Sequence, residues 1–93
     1  VAATKSYIAS IASLLNLAAH WSEDAELLAA LDAGPALLAQ AWACDWTPLV
    51  EQLATARGLY VIGRGIGFGI AQEAALKFKE TSGLHAEAFS AAE

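Results

Sequence analysis

Glu73, Lys77 and Glu80 stand at i, i+4 and i+7 in the stretch QEAALKFKE. On a helix that spacing sets two carboxylates and one ammonium on one side. Two roles suit such a stripe. It is a solvated face held by an i,i+4 ion pair, or it is a carboxylate base beside an ammonium that tunes it and holds an oxyanion. Spacing alone leaves both open. Downstream follow His85, Glu87 and Glu93. Their separations match no metal-ligand pattern, so no metal site and no cofactor are expected.

These residues need a scaffold, and the stretch LYVIGRGIGFGIAQEAALKFKE supplies one. Leu59–Ile62 is a short run rich in β-branched residues and bounded by glycines, which reads as a strand apolar on both faces. Such a strand suits a central place in a covered parallel sheet. Gly63, Gly65, Gly67 and Gly69 follow, spaced by two. The spacing is neither GxGxxG nor a P-loop. It describes a strand-to-helix turn that either needs small residues for tightness or leaves helix N–H groups free for an anion or polar ligand. A helix is expected from Gly67 to Ser82, ended by Gly83 in the C′ position. Ile70, Ala71, Ala74, Ala75 and Phe78 would form its apolar arc, opposite Glu73, Lys77 and Glu80.

The string EAALKFKE, followed after four residues by HAEA and after four more by Glu93, resembles the SIS (sugar isomerase) family. It is similar to the start of the second domain in the SIS pair of glucosamine-6-phosphate synthase and its relatives. The opening VAATKS resembles the V-A-[ST]-T-K of the first SIS domain, where a helix begins beside the sugar site. The resemblance implies a doubly wound parallel-sheet α/β fold, of which this piece is mostly helical with one clear strand, 59–62. Residues 1–21 would be the last helical region of the first SIS domain, 22–58 a helical connector, and 59–93 the start of the second.

It further implies a hexose or hexosamine 6-phosphate as substrate and ketose–aldose isomerisation linked to amino transfer or deamination. Glu80 would be the base and Lys77 the charge-stabilising neighbour. Val1, Ala3, Thr4, Glu73, His85 and Glu87 would contact the sugar. Ala3 departs from the serine often found there, which removes one hydroxyl contact. The family's phosphate-holding loop would precede Val1, and its ring-opening histidine and C-terminal lysine would follow Glu93. The 93 residues alone are therefore expected to be inactive. A non-catalytic SIS module that senses a sugar phosphate is the alternative, and a helical interaction segment with no ligand site is the third reading.

The remaining sequence sets limits. The chain has 93 residues and no methionine, and it starts at Val1, so it is expected to be a piece of a longer protein. With 57% hydrophobic and 16% charged residues it is too apolar for disorder, and its apolar faces call for a partner, a second copy above all. A net charge of −5 opposes a nucleic-acid footprint. No membrane span or targeting segment is expected, and the single cysteine, Cys44, fits a cytoplasmic protein. Cys44 reads as a small core residue.

Thr4 would cap a first helix running to Trp21 and buried on most sides, with His20 at its C-terminal carbonyls. Ser22 would cap a second helix, Glu23–Asp32. Gly34-Pro35 would break the chain before a third helix reaching Ala43. Thr47-Pro48 would open a fourth, ending at Arg57. The tryptophans, Trp21, Trp42 and Trp46, are expected between these helices. The segment His85–Glu93 shows no clear period.

Overall fold

In a computed structural model, residues 2–92 are described. Val1 and Glu93, both singled out above, lie outside them. The chain is mixed α/β and mostly helical, in the order α1 (Thr4–Trp21), α2 (Ala25–Trp42), α3 (Thr47–Leu53), β1 (Gly58–Gly63), α4 (Ile66–Ser82) and β2 (His85–Ser90). It divides into two compact units, one of residues 3–46 and the other of Ala2 with residues 47–92.

The first unit is a pair of packed helices. Ala3, not Thr4, is the N-cap of α1, and no side chain caps that end. Ser22 does not start the second helix either. Its hydroxyl donates back to the Ala18 carbonyl at 2.8 Å, so it closes α1. Glu23 then turns the chain through a positive φ of 53°. Asp24 is the true cap of α2, accepting from the Leu27 N–H at 2.9 Å. Beyond it, α2 runs through Gly34-Pro35 without the expected break. A proline crowds the Cβ of the residue before it, and Gly34 has none, so the α conformation stays open there. The cost is one lost backbone hydrogen bond.

The expected burial of this unit is not met. Ala19 is the only residue of α1 that is buried, and α2 buries none. Trp21 is 86% exposed, Trp42 90%, and Trp46 more than half. No described element lies over these rings, so they do not pack between helices. Cys44 is also exposed, its thiol 3.5 Å from the Gln40 carbonyl, and is not a core residue.

The second unit is a β–α–β arrangement preceded by α3, which ends at Leu53, four residues short of Arg57. A second strand, β2, corrects the expectation of a single one. It pairs in parallel with β1, from Gly58 opposite His85 to Gly63 opposite Ser90. Leu59, Val61 and Gly63 alternate with exposed Gly58, Tyr60 and Ile62. On β2, Ala86 is fully buried and Ala88 and Ser90 are half-buried, while His85, Glu87 and Phe89 are exposed. Alternation therefore exists on β2, but two of its three inward residues are alanines, and alanine is a poor strand signal.

The core of this unit is the α4 face carrying Ala71 and Ala75, laid on the inward side of both strands. Close approach is what the small residues permit. A Cβ on Gly63 would sit 2.5 Å from the Gly67 carbonyl oxygen and 2.9 Å from the Ala71 Cβ. Ile70, expected in the apolar arc, is instead largely exposed, because the tight contact turns Ala71 and Ala75 toward the sheet. The other sheet face, with Tyr60, Ile62 and Phe89, is uncovered, so β1 is not sandwiched. The Tyr60 and Phe89 rings meet edge to face there, 5.1 Å between centroids.

Candidate functional site

The site stripe is fixed by how α4 begins and ends. Gly65 precedes the helix with φ 55° and ψ −128°, a conformation that L residues rarely adopt. The N–H groups of Gly67 and Phe68 donate to the Arg64 and Gly65 carbonyls at 3.0 and 3.1 Å. These two first-turn donors are thus already used, which narrows the anion-binding role considered for the loop. At the far end Gly83 takes the left-handed conformation, φ 62°, and the Leu84 N–H donates to the Phe78 carbonyl at 3.3 Å. That six-residue return ends the helix as the glycine implied.

Between these ends the chemistry-bearing residues meet as their spacing requires. The Lys77 ammonium lies 3.1 Å from Glu73 Oε1, one turn back, and 2.6 Å from Glu80 Oε2, one turn on. The Lys77 and Glu73 side chains are each 19% exposed, and that of Glu80 is 40% exposed. The stripe is not a freely solvated face. The hydrogen bond that Lys77 donates to Glu80 pushes its pKa above the ordinary 10.5; partial burial opposes this, and the hydrogen bond to Glu73 and the charges of both carboxylates add to the rise. Lys77 is therefore a fixed cation at neutral pH. An ammonium has three N–H donors, and two carboxylates use two, which leaves one for a substrate oxygen.

The Thr81 hydroxyl donates to the Lys77 carbonyl at 2.6 Å, tying the turn that carries Lys77 to the residue after Glu80. Sequence reading passed over Thr81, although a threonine four residues after a helical carbonyl is a known back-bonding signal. Gly63 was likewise read only as part of a loop, whereas its lack of a side chain sets the distance between β1 and α4.

His85 and Glu87 are brought together, 3.7 Å between Nε2 and Oε1, at the start of β2. Both side chains point to the sheet face away from α4 and are half or more exposed. Ala3 and Thr4 lie in the other unit, Ala3 as the N-cap of α1 and Thr4 as its first residue, both exposed. Among the described residues no group of three His, Cys, Asp or Glu could hold a metal ion. No single described helix is long and apolar enough to cross a membrane.

No protein-family model matches the chain. Curated relatives do. Over its whole length it is 37% identical to a segment of the glutamine–fructose-6-phosphate aminotransferase (isomerizing) of Zymomonas mobilis, 39% to that of Aeropyrum pernix and 36% to that of Haemophilus influenzae. In each case the segment is about 17% of the relative. The alignments run over 104 to 107 positions, more than the 93 residues of the chain, so the relatives carry residues here that this chain lacks. The chain is thus related in sequence, end to end, to one segment of the glutamine–fructose-6-phosphate aminotransferases.

Proposed function

We propose that this chain is part of a sugar-phosphate enzyme that isomerises a hexose 6-phosphate and couples the step to amino transfer. The observation that carries the proposal is the Glu73–Lys77–Glu80 cluster, half-shielded on one helix, in a chain whose named relatives are aminotransferases of fructose 6-phosphate. Residues 59–93 form the start of a second SIS domain, 22–58 the connector and 1–21 the end of the first.

Ketose–aldose interconversion moves one proton between adjacent carbons. Glu80, the more exposed carboxylate, takes the proton from the carbon beside the carbonyl or imine. The electron pair left by that C–H bond forms the C=C bond of an enediolate, or of an enamine from the imine, and negative charge grows on the former carbonyl oxygen or imine nitrogen. The free N–H of Lys77 donates to that atom. Glu80 then returns the proton to the neighbouring carbon, while the proton of the adjacent hydroxyl passes to the former carbonyl oxygen or imine nitrogen and that hydroxyl carbon becomes the new C=O, so no proton is gained or lost overall. The exposed apolar side chains of α1 and α2 are covered by a second copy of the protein.

The test is Glu80→Gln in the protein that carries this segment, supplied with fructose 6-phosphate and either glutamine or ammonia. The amide cannot accept the proton, so turnover falls by about 10²–10⁴-fold, while sugar-phosphate binding stays within a few-fold of wild type. Undiminished turnover removes Glu80 as the base. Binding without turnover in the wild-type protein favours a sensing module, and ammonia release from glucosamine 6-phosphate favours a deaminase.

A further inference from the structure

Glu73 and Glu80 hold the same ammonium but differ in their surroundings. Glu73 is as shielded as Lys77 itself, at 19% exposure, whereas Glu80 is twice as open and its contact is the shorter, 2.6 against 3.1 Å. An ammonium with one carboxylate would bind it tightly and resist giving it up. An ammonium with two keeps a counter-ion when either leaves. We infer that Glu73 is a positioning residue, the standing counter-ion that keeps Lys77 in place and shares its charge while Glu80 moves between its ionised and protonated forms. The inference rests on Glu80 being the base.

The chemistry follows from charge balance within the cluster. Before proton transfer two carboxylates face one ammonium. When Glu80 takes the substrate proton it becomes neutral, and its hold on Lys77 weakens at the moment when charge grows on the substrate. Without Glu73, Lys77 would then have no carboxylate partner and its side chain would be free to leave. With Glu73, the ammonium stays within one turn and keeps its third N–H for the substrate oxygen or nitrogen.

Few other groups compete. The strand residues turned toward α4 are Leu59, Val61, Gly63, Ala86, Ala88 and Ser90, none of which titrates. Tyr60, His85 and Glu87 belong to the opposite sheet face. On α4 itself the remaining cation is Lys79, which makes no ion pair among the described residues.

The experiment compares wild type, Glu73→Gln, Glu73→Asp and Glu80→Gln in the full protein, measuring kcat and KM for fructose 6-phosphate across pH together with thermal unfolding. Glu73→Gln is expected to lower kcat at least tenfold with KM nearly unchanged, because Lys77 then loses the carboxylate that holds it in place while Glu80 carries the substrate proton. Glu73→Asp, which restores the charge one methylene further away, should recover part of the lost kcat. An unchanged kcat, a loss carried by KM instead, or a loss accounted for by a lowered unfolding temperature overturns the inference and leaves Glu80 as base. An active Glu80→Gln variant overturns the base assignment and this inference with it.

Discussion

Replacing Gly63 by alanine tests the structural claim on which the site depends, the close seating of α4 on β1. The added Cβ would lie 2.5 Å from the Gly67 carbonyl oxygen and 2.9 Å from both the Gly67 carbonyl carbon and the Ala71 Cβ. Carbon atoms settle at about 3.5–4.0 Å, so the start of α4 must withdraw by about 1 Å. All three neighbours are helix backbone or a Cβ, and none can rotate aside. Withdrawal loosens Ala71 and Ala75, two of the few buried residues. Overpacking of this kind costs about 1–3 kcal/mol. Gly69 provides the opposite control. It lies inside α4 with nothing within 4 Å of an added Cβ, so Gly69→Ala should stabilise by about 0.5–1 kcal/mol. The two variants should therefore separate by about 1.5–4 kcal/mol, or about 1 M in urea midpoint. Urea unfolding followed by circular dichroism reads the difference, and turnover should fall in the Gly63 variant because α4 carries Lys77 and Glu80. A Gly63→Ala midpoint equal to or above that of Gly69→Ala would refute the seating.

Three other outcomes are expected. The Lys77 cluster has a definite pH sign: its folded pKa is raised above 10.5, so its contribution to stability is full below about pH 10 and is lost as pH climbs through the raised value. Unfolding midpoints of wild type and Lys77→Met should differ by a constant amount from pH 7 to 9 and converge above 11; a gap that widens there contradicts the pairing. Pro35→Ala restores a missing donor in the middle of α2 and should raise stability by about 1–3 kcal/mol in urea unfolding, whereas a loss would show that the proline is needed for a bend. The 93-residue chain in isolation should self-associate, with light scattering giving a mass above 9.7 kDa, because Trp21, Trp42 and several leucines of α1 and α2 have nothing over them. A monodisperse monomer with cooperative unfolding would contradict that expectation.

What the sequence made legible was whatever depends on one helix. Spacing alone put Glu73, Lys77 and Glu80 within reach of one another, and Gly83 marked the end of α4 to the residue. Such features are decided within a few residues of the chain, where helix geometry is nearly fixed. Most of the misses depend on what lies across space, and one on a bond four residues back. Strand β2 was invisible because Ala86 and Ala88 carry no strand signal, and only their seating under α4 makes them the inward positions. The cap of α2 moved from Ser22 to Asp24 because the Ser22 hydroxyl was taken by the Ala18 carbonyl. Cys44 and the tryptophans were assigned to a core on hydrophobicity, which states a need for cover but not where cover comes from.

That distinction explains why the contacts of the cluster could be read while the burial could not. Among the described residues the buried hydrophobic positions are four alanines, Ala19, Ala71, Ala75 and Ala86, in a chain that is 57% hydrophobic. Alanines bury little area each, and at roughly 25 cal/mol per Å² they supply only a small part of what ordering a chain of this length costs. The larger apolar side chains must then gain their stabilisation from contacts beyond these two units. The Glu73–Lys77–Glu80 cluster does not wait for those contacts, because α4 alone sets its spacing, but the exposure of Glu80 does. If a second copy or a further segment covers α1 and α2 while leaving the Glu80 side of α4 open, the carboxylate stays accessible to a sugar. Hydrogen exchange on the full protein separates the cases: amides of α1 and α2 protected beyond those of the isolated chain, with Glu80 still reactive toward a water-soluble carbodiimide, is the expected result, and a shielded Glu80 in the free enzyme would remove it from contact with substrate.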